Sequence, residues 1–364
     1  MTPTFVELFA GVGGMALGLE RVGWRCVGHA EWEPFQRRVL RHRWPDVPLW
    51  GDVTALTGRA IEQEVGTFDL LTFGAPCQDF SLAGTRVGLD GDRSVTVFDA
   101  LRIWRETAAP YALYENVTGM LSSNDGRDFA DVLSAFTGGT VAVPPDGWRN
   151  GGVARGSAGI AAWRTLDAQY FGWEQYTIPQ RRRRVFVLGT RTTRVDPFQV
   201  LSLGDSLSRH LAPRHQARQS SAAAARRSDP TALVYDARGN GHGTVVNTLT
   251  GDHERRVTDY TAIVARMVAL GVYATDGTAS TLKHRDEKSA TDLVLDPALT
   301  PRRLTPTECE RLMGWPDGWT DVPNAKGKPA PDYLRYQAIG NGVSAPVAAW
   351  IGLQLLNDLR YATP

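Results

Sequence analysis

Short apolar runs alternate with amphipathic stretches over the first half of this 364-residue chain. Apolar runs that end in glycine or polar turns are typical of buried strands, and apolar positions three or four apart are typical of helices. The predicted strands are 5–9, 25–30, 68–73, 111–114 and 184–188, and the predicted helices are 15–22, 33–43 and 347–360. Strands that alternate with helices predict an α/β fold built on a parallel sheet.

Each predicted strand runs directly into a polar or glycine-bearing turn. Because ligands of open α/β sheets bind at the carboxyl ends of the strands, we expect the residues of these turns to meet at one edge of the sheet. The character changes after residue 190, and 205–230 is rich in Ser, Ala, Arg and His, which is typical of an irregular surface segment. The sequence therefore predicts a larger domain at 1–190 plus 331–364, and a smaller, mostly β or irregular domain at 191–330.

Composition narrows the function only slightly. The net charge is +1, and 36 of the 40 basic residues are arginine, whose planar guanidinium suits phosphate and guanine contacts. A GC-rich genome also enriches arginine, so the composition permits nucleic-acid binding without predicting it. The cysteines Cys26, Cys77 and Cys309 lack metal-ligand spacing, which predicts no metal site and a reducing, cytoplasmic setting. Neither a signal peptide nor a membrane span is apparent.

The turn after the first strand, Gly11-Val12-Gly13-Gly14, fits a loose nucleotide-cofactor pattern, with Glu31 twenty residues beyond Gly11. Glycines let a ligand approach the backbone, and an acidic side chain after the second strand can accept hydrogen bonds from ribose hydroxyls. Taken alone, the pattern fits a nicotinamide-dependent oxidoreductase, a methyltransferase or a plain strand–helix turn.

A cysteine follows the apolar run 68–73 in the turn Gly74-Ala75-Pro76-Cys77. A lone cysteine is usually a small buried hydrophobe. At the ligand edge of a sheet, however, a thiolate is a strong nucleophile if its surroundings lower its pKa. Cys77 is therefore a candidate nucleophile.

Two further polar groups accompany apolar runs. Glu115 ends the run that begins at 111, where it could cap a helix or act as a proton donor to a bound base. The segment 180–184 carries four arginines in a row before an apolar strand. Strand alternation places Gln180, Arg182 and Arg184 on one face and the other two arginines on the opposite face, where a solvated charge run is the simplest interpretation.

Eight motifs in this order resemble those of the bacterial and phage DNA cytosine C5-methyltransferase family. They lie at 9–14, 31–33, 51–53, 76–78, 115–117, 180–184, 303–316 and 340–343. The resemblance implies a Rossmann-like methyltransferase sheet that binds S-adenosyl-L-methionine, with 191–330 as the target-recognition domain. An RNA-directed branch shares the catalytic motifs, so a tRNA cytosine is the alternative substrate, although the long variable region favours duplex DNA.

The resemblance also implies a role for each matched residue. Cys77 would add to C6 of the cytosine, Glu115 would hydrogen-bond to its N3 and exocyclic amine, and Arg182 with Arg184 would hold the base carbonyl and orient the cysteine-bearing loop. The implied cofactor-binding residues are Phe9, Gly11, Gly13, Gly14, Glu31, Trp32, Asp52, Pro76 and Asn341. Candidate substrate-contacting residues are Gln78, Gln180, Arg238, Asn240, Arg255 and Arg256.

Two positions depart from the family pattern. The loop between Gly172 and Gln180 is a few residues longer than usual, and Gly342 stands where a serine is more common. A catalytically dead DNA-binding relative is a further alternative, but no motif residue needed for the chemistry is missing. We expect a monomeric, cytoplasmic enzyme that acts on double-stranded DNA, with a restriction endonuclease as a functional partner and no membrane association.

Overall fold

The computed structural model describes residues 2–75, 96–173, 176–202, 282 and 304–361, together with six short strands between 233 and 302. Several candidate residues lie outside this part of the chain: Pro76, Cys77, Gln78, Arg238, Asn240, Arg255 and Arg256. The chain divides into two compact units. The first comprises Met1–Asp167, Arg183–Ser202 and Gly342–Pro364, and the second comprises Ala168–Arg182 and Leu203–Asn341. These bounds differ from those of the predicted domains, since 168–182 and 331–341 fall in the second unit and 191–202 fall in the first.

The strands, numbered along the chain, are β1 (Thr4–Leu8), β2 (Arg25–Ala30), β3 (Leu49–Trp50), β4 (Leu70–Phe73), β5 (Tyr111–Val117), β6 (Gly151–Arg155), β7 (Ile160–Asp167), β8 (Gly172–Trp173), β9 (Tyr176–Thr177), β10 (Arg183–Thr190), β11 (Leu233–Val234), β12 (Gly243–Thr244), β13 (Ile263–Ala269), β14 (Val272–Ala274), β15 (Leu293–Leu295) and β16 (Pro301–Arg302). The helices are α1 (Gly14–Arg21), α2 (Pro34–Arg43), α3 (Gly58–Val65), α4 (Thr96–Glu106), α5 (Arg127–Thr137), α6 (Pro197–Val200), α7 (Pro306–Leu312), α8 (Asp332–Asn341) and α9 (Ala345–Tyr361). The strands and helices predicted from the sequence are all present, with ends that differ by a few residues.

The main sheet of the first unit has eight strands in the order β3-β2-β1-β4-β5-β10-β7-β6. The five strands from β3 to β5 are parallel, as predicted, but β10 is antiparallel to both β5 and β7. The predicted parallel arrangement therefore holds for β1, β2, β4 and β5 and is wrong for β10, the last of the predicted strands. No α-helix lies between β6 and β7, or among the described residues between β7 and β10, and a parallel pairing would need a long crossover connection of that kind.

The reversed direction of β10 places its first residues beside the last residues of β5. Arg184 is paired with Val117, and Phe186 with Glu115. The arginines at the start of β10 thus reach the same edge as the carboxyl ends of the parallel strands. The end of β4 is fixed at this edge by aromatic packing, because the Phe73 ring stacks on Tyr114 at 5.1 Å and lies 6.2 Å from the Phe136 ring.

The C-terminal helix α9 packs against α1 within the first unit. The indole Nε1 of Trp24 donates to the Gly352 carbonyl at 3.0 Å, which ties the two helices together. The last helix of the chain therefore belongs to the first unit. By length and composition alone, the stretch Asp332–Leu359 could cross a membrane. However, 67% of the apolar 18-residue window within it is buried inside the structure, as is usual for a core helix.

The described part of the second unit combines short strands with helices. Strands β14-β13-β15-β16 form one sheet, and β11-β12 and β8-β9 form two-stranded ribbons, in keeping with the predicted β or irregular character. The longer loop noted in the sequence contains the β8-β9 hairpin, and Trp173 Nε1 donates from it to the Gly314 carbonyl at 2.9 Å.

A buried polar network holds the helical part of the second unit together. The Glu310 carboxylate is fully buried and accepts from the Thr320 backbone N–H at 2.8 Å and from Arg335 at 3.1 Å. Helix α7 begins with a capping box, in which Thr305 and Glu308 satisfy each other's backbone N–H groups.

Candidate active site

Three cofactor-binding candidates follow neighbouring parallel strands. Leu8 at the end of β1 pairs with Ala30 at the end of β2, and Ala30 pairs with Trp50 at the end of β3. The turn at 9–14, Glu31 and Asp52 come directly after these ends. The sheet register therefore brings them to one edge, where α/β proteins bind their ligands.

The turn after β1 is held in a left-handed backbone conformation. Phe9 has φ +52°, Gly11 +56° and Gly13 +79°. For a residue with a side chain this conformation costs about 1–2 kcal/mol, so a strained Phe9 marks a position that the surrounding structure enforces. Apart from its two chain neighbours, no described residue has a heavy atom within 4 Å of the place that a β-carbon on Gly11 would take. The backbone of Gly11 is thus accessible to a ligand, whereas Gly14 opens helix α1.

The Glu31 carboxylate ties this turn to the end of β2. One oxygen accepts from the Gly11 backbone N–H at 2.7 Å, and the other accepts from the N–H groups of Trp32 and Glu33, both at 2.9 Å. Burial raises the pKa of Glu31, although these hydrogen bonds oppose the shift. A carboxylate has about four lone-pair sites, so Glu31 retains capacity for a ligand hydroxyl.

Two more candidate cofactor-binding side chains follow β2 and β3. The Trp32 side chain is 67% exposed, which is unusual for so large an aromatic residue. Asp52 is exposed and accepts from the Thr54 N–H through one oxygen at 2.9 Å. A buried acceptor, an exposed aromatic face and a second carboxylate are what a nucleoside needs for its hydroxyls, its base plane and its amino group.

Glu115 and Arg184 form an ion pair at the same edge of the sheet. Arg184 Nε lies 3.3 Å from Glu115 Oε1, and only 14% and 11% of the two side chains are exposed. The other Glu115 oxygen lies 3.5 Å from the position that a β-carbon on Gly74 would take. The carboxylate therefore lies against the turn that leads to Cys77.

Asn116 is a residue that the sequence analysis did not include in the site. Its buried side-chain amide donates to the Ala75 carbonyl at 3.3 Å and to the Tyr114 hydroxyl, and its oxygen accepts from the Val117 N–H at 2.7 Å. Asn116 thereby holds the chain two residues before Cys77. In the sequence, Asn116 lies within the motif at 115–117, but no role was predicted for it.

The arginine segment shows the predicted alternation. Gln180 and Arg182 are buried and Arg184 is half-buried, whereas Arg181 and Arg183 are exposed. Within the second unit, both terminal nitrogens of Arg182 donate to the Gly340 carbonyl at 3.3 Å.

The remaining sequence predictions at this segment are not settled by these contacts. The role of Arg182 at a base carbonyl stays a prediction. The fully buried amide of Gln180 has no hydrogen-bond partner among the described residues. Asn341 ends α8 in the second unit and is exposed, and its cofactor role stays a prediction.

Within the described part of the chain, no group of three or more His, Cys, Asp or Glu is arranged to hold a metal ion.

The sheet order, the glycine turn and the acidic residue after β2 define an α/β protein of Rossmann-like fold. The sequence profile of C-5 cytosine-specific DNA methylases matches residues 3–357. The chain belongs to this family.

Known relatives and solved structures align with most of the chain. The "DNA N-6-adenine-methyltransferase" of Escherichia phage P1 is 30% identical over 94% of the chain, which spans 60% of that relative's length. Type II methyltransferase M.HpaII of Haemophilus parainfluenzae is 25% identical, and the alignment covers 98% of this chain and 90% of that relative. The S. pombe Dnmt2 methyltransferase structure has a TM-score of 0.60 at 17% identity, with coverage of 98% and 99% of the two chains, and supports the fold alone.

The open backbone at Gly11 gives a direct test of ligand approach. We expect Gly11→Ala to weaken S-adenosylmethionine binding about tenfold, because a methyl group would occupy the accessible face of the turn. Gly23 is the matched control, since it also has positive φ (+104°) and open space around its β-carbon position, but lies after α1. Both variants should lose about 1–2 kcal/mol of stability, and calorimetric titration should show weakened binding only for Gly11→Ala. Equal binding by the two variants would contradict this role of the turn.

Proposed function

We propose that the chain transfers a methyl group from S-adenosylmethionine to C5 of a cytosine flipped out of a specific double-stranded DNA sequence, through a covalent bond between Cys77 and C6. The observation that carries this proposal is the Glu115–Arg184 pair, which lies against the turn leading to Cys77. Family membership supports the C5 chemistry. The segment 191–330 would read the DNA sequence, and a restriction endonuclease would be a functional partner.

The residues after β1, β2 and β3 fit the nucleoside part of S-adenosylmethionine. Glu31 would accept from the ribose hydroxyls, Trp32 would pack on the adenine, and Asp52 would accept from its amino group. The bound cofactor supplies an electrophilic methyl group on a sulfonium. Since it carries no phosphate, the glycine turn would serve close backbone approach rather than anion binding.

The chemistry at the cytosine follows from the weakness of C5 as a nucleophile. Addition of the Cys77 thiolate to C6 would move electron density toward C5. Glu115 would hydrogen-bond to N3 and the exocyclic amine and so stabilise the charge that develops on the ring, while Arg184 holds the carboxylate in place. Once C5 carries the methyl group, loss of the C5 proton and elimination of the thiolate restore the aromatic ring. Flipping the base costs a few kcal/mol.

Duplex DNA is the favoured substrate over tRNA. M.HpaII is named as a type II methyltransferase and aligns with 98% of this chain, whereas the Dnmt2 structures resemble it only at the level of fold. The name of the phage P1 relative raises adenine N6 as a competing target. Methylation of an exocyclic amine requires no addition to a ring carbon, so it would leave Cys77 and Glu115 without a task.

Transfer of a tritiated methyl group tests the substrate. The full chain is incubated with labelled S-adenosylmethionine and, separately, unmethylated duplex DNA or unmodified tRNA, and the nucleosides are then separated. We expect label in 5-methyldeoxycytidine. Label confined to tRNA would overturn the DNA substrate, and label in N6-methyladenine would overturn the C5 chemistry. Methylome sequencing of the same DNA then gives the recognition sequence.

The raised pKa of Glu31 predicts a pH dependence of cofactor binding. Protonation of Glu31 would remove an acceptor site that the ribose hydroxyls need, and burial moves this protonation to a pH above the ordinary value of 4.5. As the pH falls from neutral, affinity for S-adenosylmethionine should therefore decline before an ordinary glutamate would protonate. Titrations at several pH values should show a steep decline for the wild type. Glu31→Gln should bind about tenfold more weakly at neutral pH and depend less on pH. An identical pH profile for the two proteins would contradict the role.

A further inference from the structure

The guanidinium group of Arg37 joins the ends of β2 and β3. Its Nη1 donates to the backbone carbonyls of Glu31 and Trp50, and its Nη2 donates to the Leu49 carbonyl at 3.4 Å. The Trp50 carbonyl also accepts from the Glu31 backbone N–H at 3.2 Å. One half-buried side chain of α2 therefore holds two chain segments together, and the proposed methylation mechanism assigns it no task.

These contacts lie directly beside two proposed cofactor-binding residues, Glu31 and Asp52. Strand β3 has only two residues, so its pairing with β2 ends at Trp50, two positions before Asp52. The intervening Gly51 has no side chain to anchor the chain. Apart from the chain neighbours of Gly51, Arg37 Nη1 is the closest described atom to the place that a β-carbon there would take, at 3.9 Å. Arg37 thus contacts the chain on the way to both carboxylates.

The position of Arg37 in its helix gives a poor account of its presence. Arg37 lies in the first turn of α2, where a positive charge interacts unfavourably with the helix dipole. A guanidinium, however, carries its donors in a rigid planar fork, so its nitrogens can bind several carbonyls in one fixed geometry. The neighbouring Arg38 instead stacks on the Phe35 ring at 5.1 Å. The contacts of Arg37 therefore favour a role at the strand ends.

We propose that Arg37 is a positioning residue for the nucleoside half of the cofactor. By holding the ends of β2 and β3 together, it fixes the distance between the Glu31 carboxylate, which would accept from the ribose hydroxyls, and the Asp52 carboxylate, which would accept from the adenine amino group. Acceptors that are already in place lower the cost of ordering them on binding. This inference rests on the proposed function, in which these two residues bind S-adenosylmethionine.

The test compares Arg37→Met with the wild type in the full chain. We expect the Kd values for S-adenosylmethionine and for S-adenosylhomocysteine to rise by the same factor, about tenfold, because the two ligands share the adenosine that Arg37 would position. In steady-state methylation, KM for S-adenosylmethionine should rise with the Kd, and kcat at saturation should change less than about twofold. Arg37→Lys retains the charge but has a single nitrogen, so it should give a smaller rise, and it supplies the measurement if Arg37→Met fails to fold.

Coupling to Asp52 separates positioning from a general loss of structure. Asp52→Asn keeps an oxygen for the Thr54 N–H and replaces the second acceptor by an amide. Once this acceptor is gone, its position matters less, so adding Arg37→Met to Asp52→Asn should raise the Kd by less than about threefold. An equal factor in both backgrounds would overturn the inference, as would a wild-type Kd in Asp52→Asn.

Arg191→Met is the matched control. Arg191 is also half-buried, and one terminal nitrogen of its guanidinium likewise donates to two backbone carbonyls, those of Thr107, at 2.8 Å, and Ala109. It follows β10, whose last residue pairs with the first residue of β5, so this bridge lies at the opposite edge of the main sheet. Both arginine variants should lower Tm, but Arg191→Met should keep the wild-type Kd.

A wild-type Kd in Arg37→Met or, if that variant fails to fold, in Arg37→Lys would overturn the inference. An equal rise of the Kd in Arg191→Met would overturn it as well, because the effect would then follow from lost stability. Absence of S-adenosylmethionine binding by the wild type would instead overturn the proposed function.

Discussion

Replacement of Cys77 by serine is expected to lower the rate of methyl transfer by at least about three orders of magnitude, which corresponds to about 4 kcal/mol in the barrier. A serine hydroxyl is almost wholly protonated at neutral pH and adds poorly to C6 of cytosine. Binding of S-adenosylmethionine should persist, because the turn at 9–14, Glu31 and Asp52 follow other strands. Single-turnover transfer of a tritiated methyl group and calorimetric titration measure the two quantities separately.

Cys309→Ser is the control for the loss of a thiol. Cys309 is buried in α7 of the second unit and has no part in the proposed chemistry. This variant should keep a wild-type rate per folded molecule, even if its stability falls. A Cys77→Ser protein that methylates DNA within tenfold of the wild-type rate would contradict the assignment of the nucleophile.

Glu115→Gln is expected to lower kcat about 100- to 1000-fold. The amide fills the same space beside Arg184 and can still accept from the cytosine amine through its oxygen. However, it lacks the charge of the carboxylate and has no carboxyl proton to share with N3 as charge develops on the ring. The Kd for S-adenosylmethionine should remain within about twofold of the wild-type value. Rapid-quench measurement of the first turnover isolates the chemical step.

Glu106→Gln is a suitable control for this substitution. Glu106 ends α4, where its carboxylate accepts from the Gly58 N–H at 2.7 Å and pairs with Arg102 at 3.1 Å. Its loss should reduce stability and leave kcat unchanged. A Glu115→Gln variant with a kcat within about fivefold of the wild type would show that the Glu115 charge is not needed in the transition state.

The parallel half of the sheet was predictable because its central strands are buried on both faces and read as continuous apolar runs. Strands β6 and β7 were missed. Gly151–Arg155 and the first half of Ile160–Asp167 are rich in glycine and alanine, which have low strand propensity. Their antiparallel pairing depends on contacts between distant segments, and the periodicity of one segment does not report such contacts.

The site shows the same division between local and long-range information. Local motifs identified Glu115 and Arg184, but their ion pair depends on the reversed direction of β10, which the sequence pattern did not reveal. No role was predicted for Asn116, which lies in the motif at 115–117, or for Glu7, which is a carboxylate inside the apolar run 5–9. Only the folded chain shows that Asn116 bonds to the Ala75 carbonyl and that Glu7 lies beside His29.

The most direct test of the central claim uses a long duplex of mixed sequence in which every cytosine is replaced by 5-fluorocytosine. The fluorine at C5 cannot leave as a proton does, so the enzyme should be trapped after methyl transfer. With S-adenosylmethionine present, we predict a protein–DNA adduct that survives denaturant, maps to the peptide containing Cys77 and is absent for Cys77→Ser. No adduct from a preparation that methylates the same DNA made with ordinary cytosine would contradict covalent catalysis by Cys77.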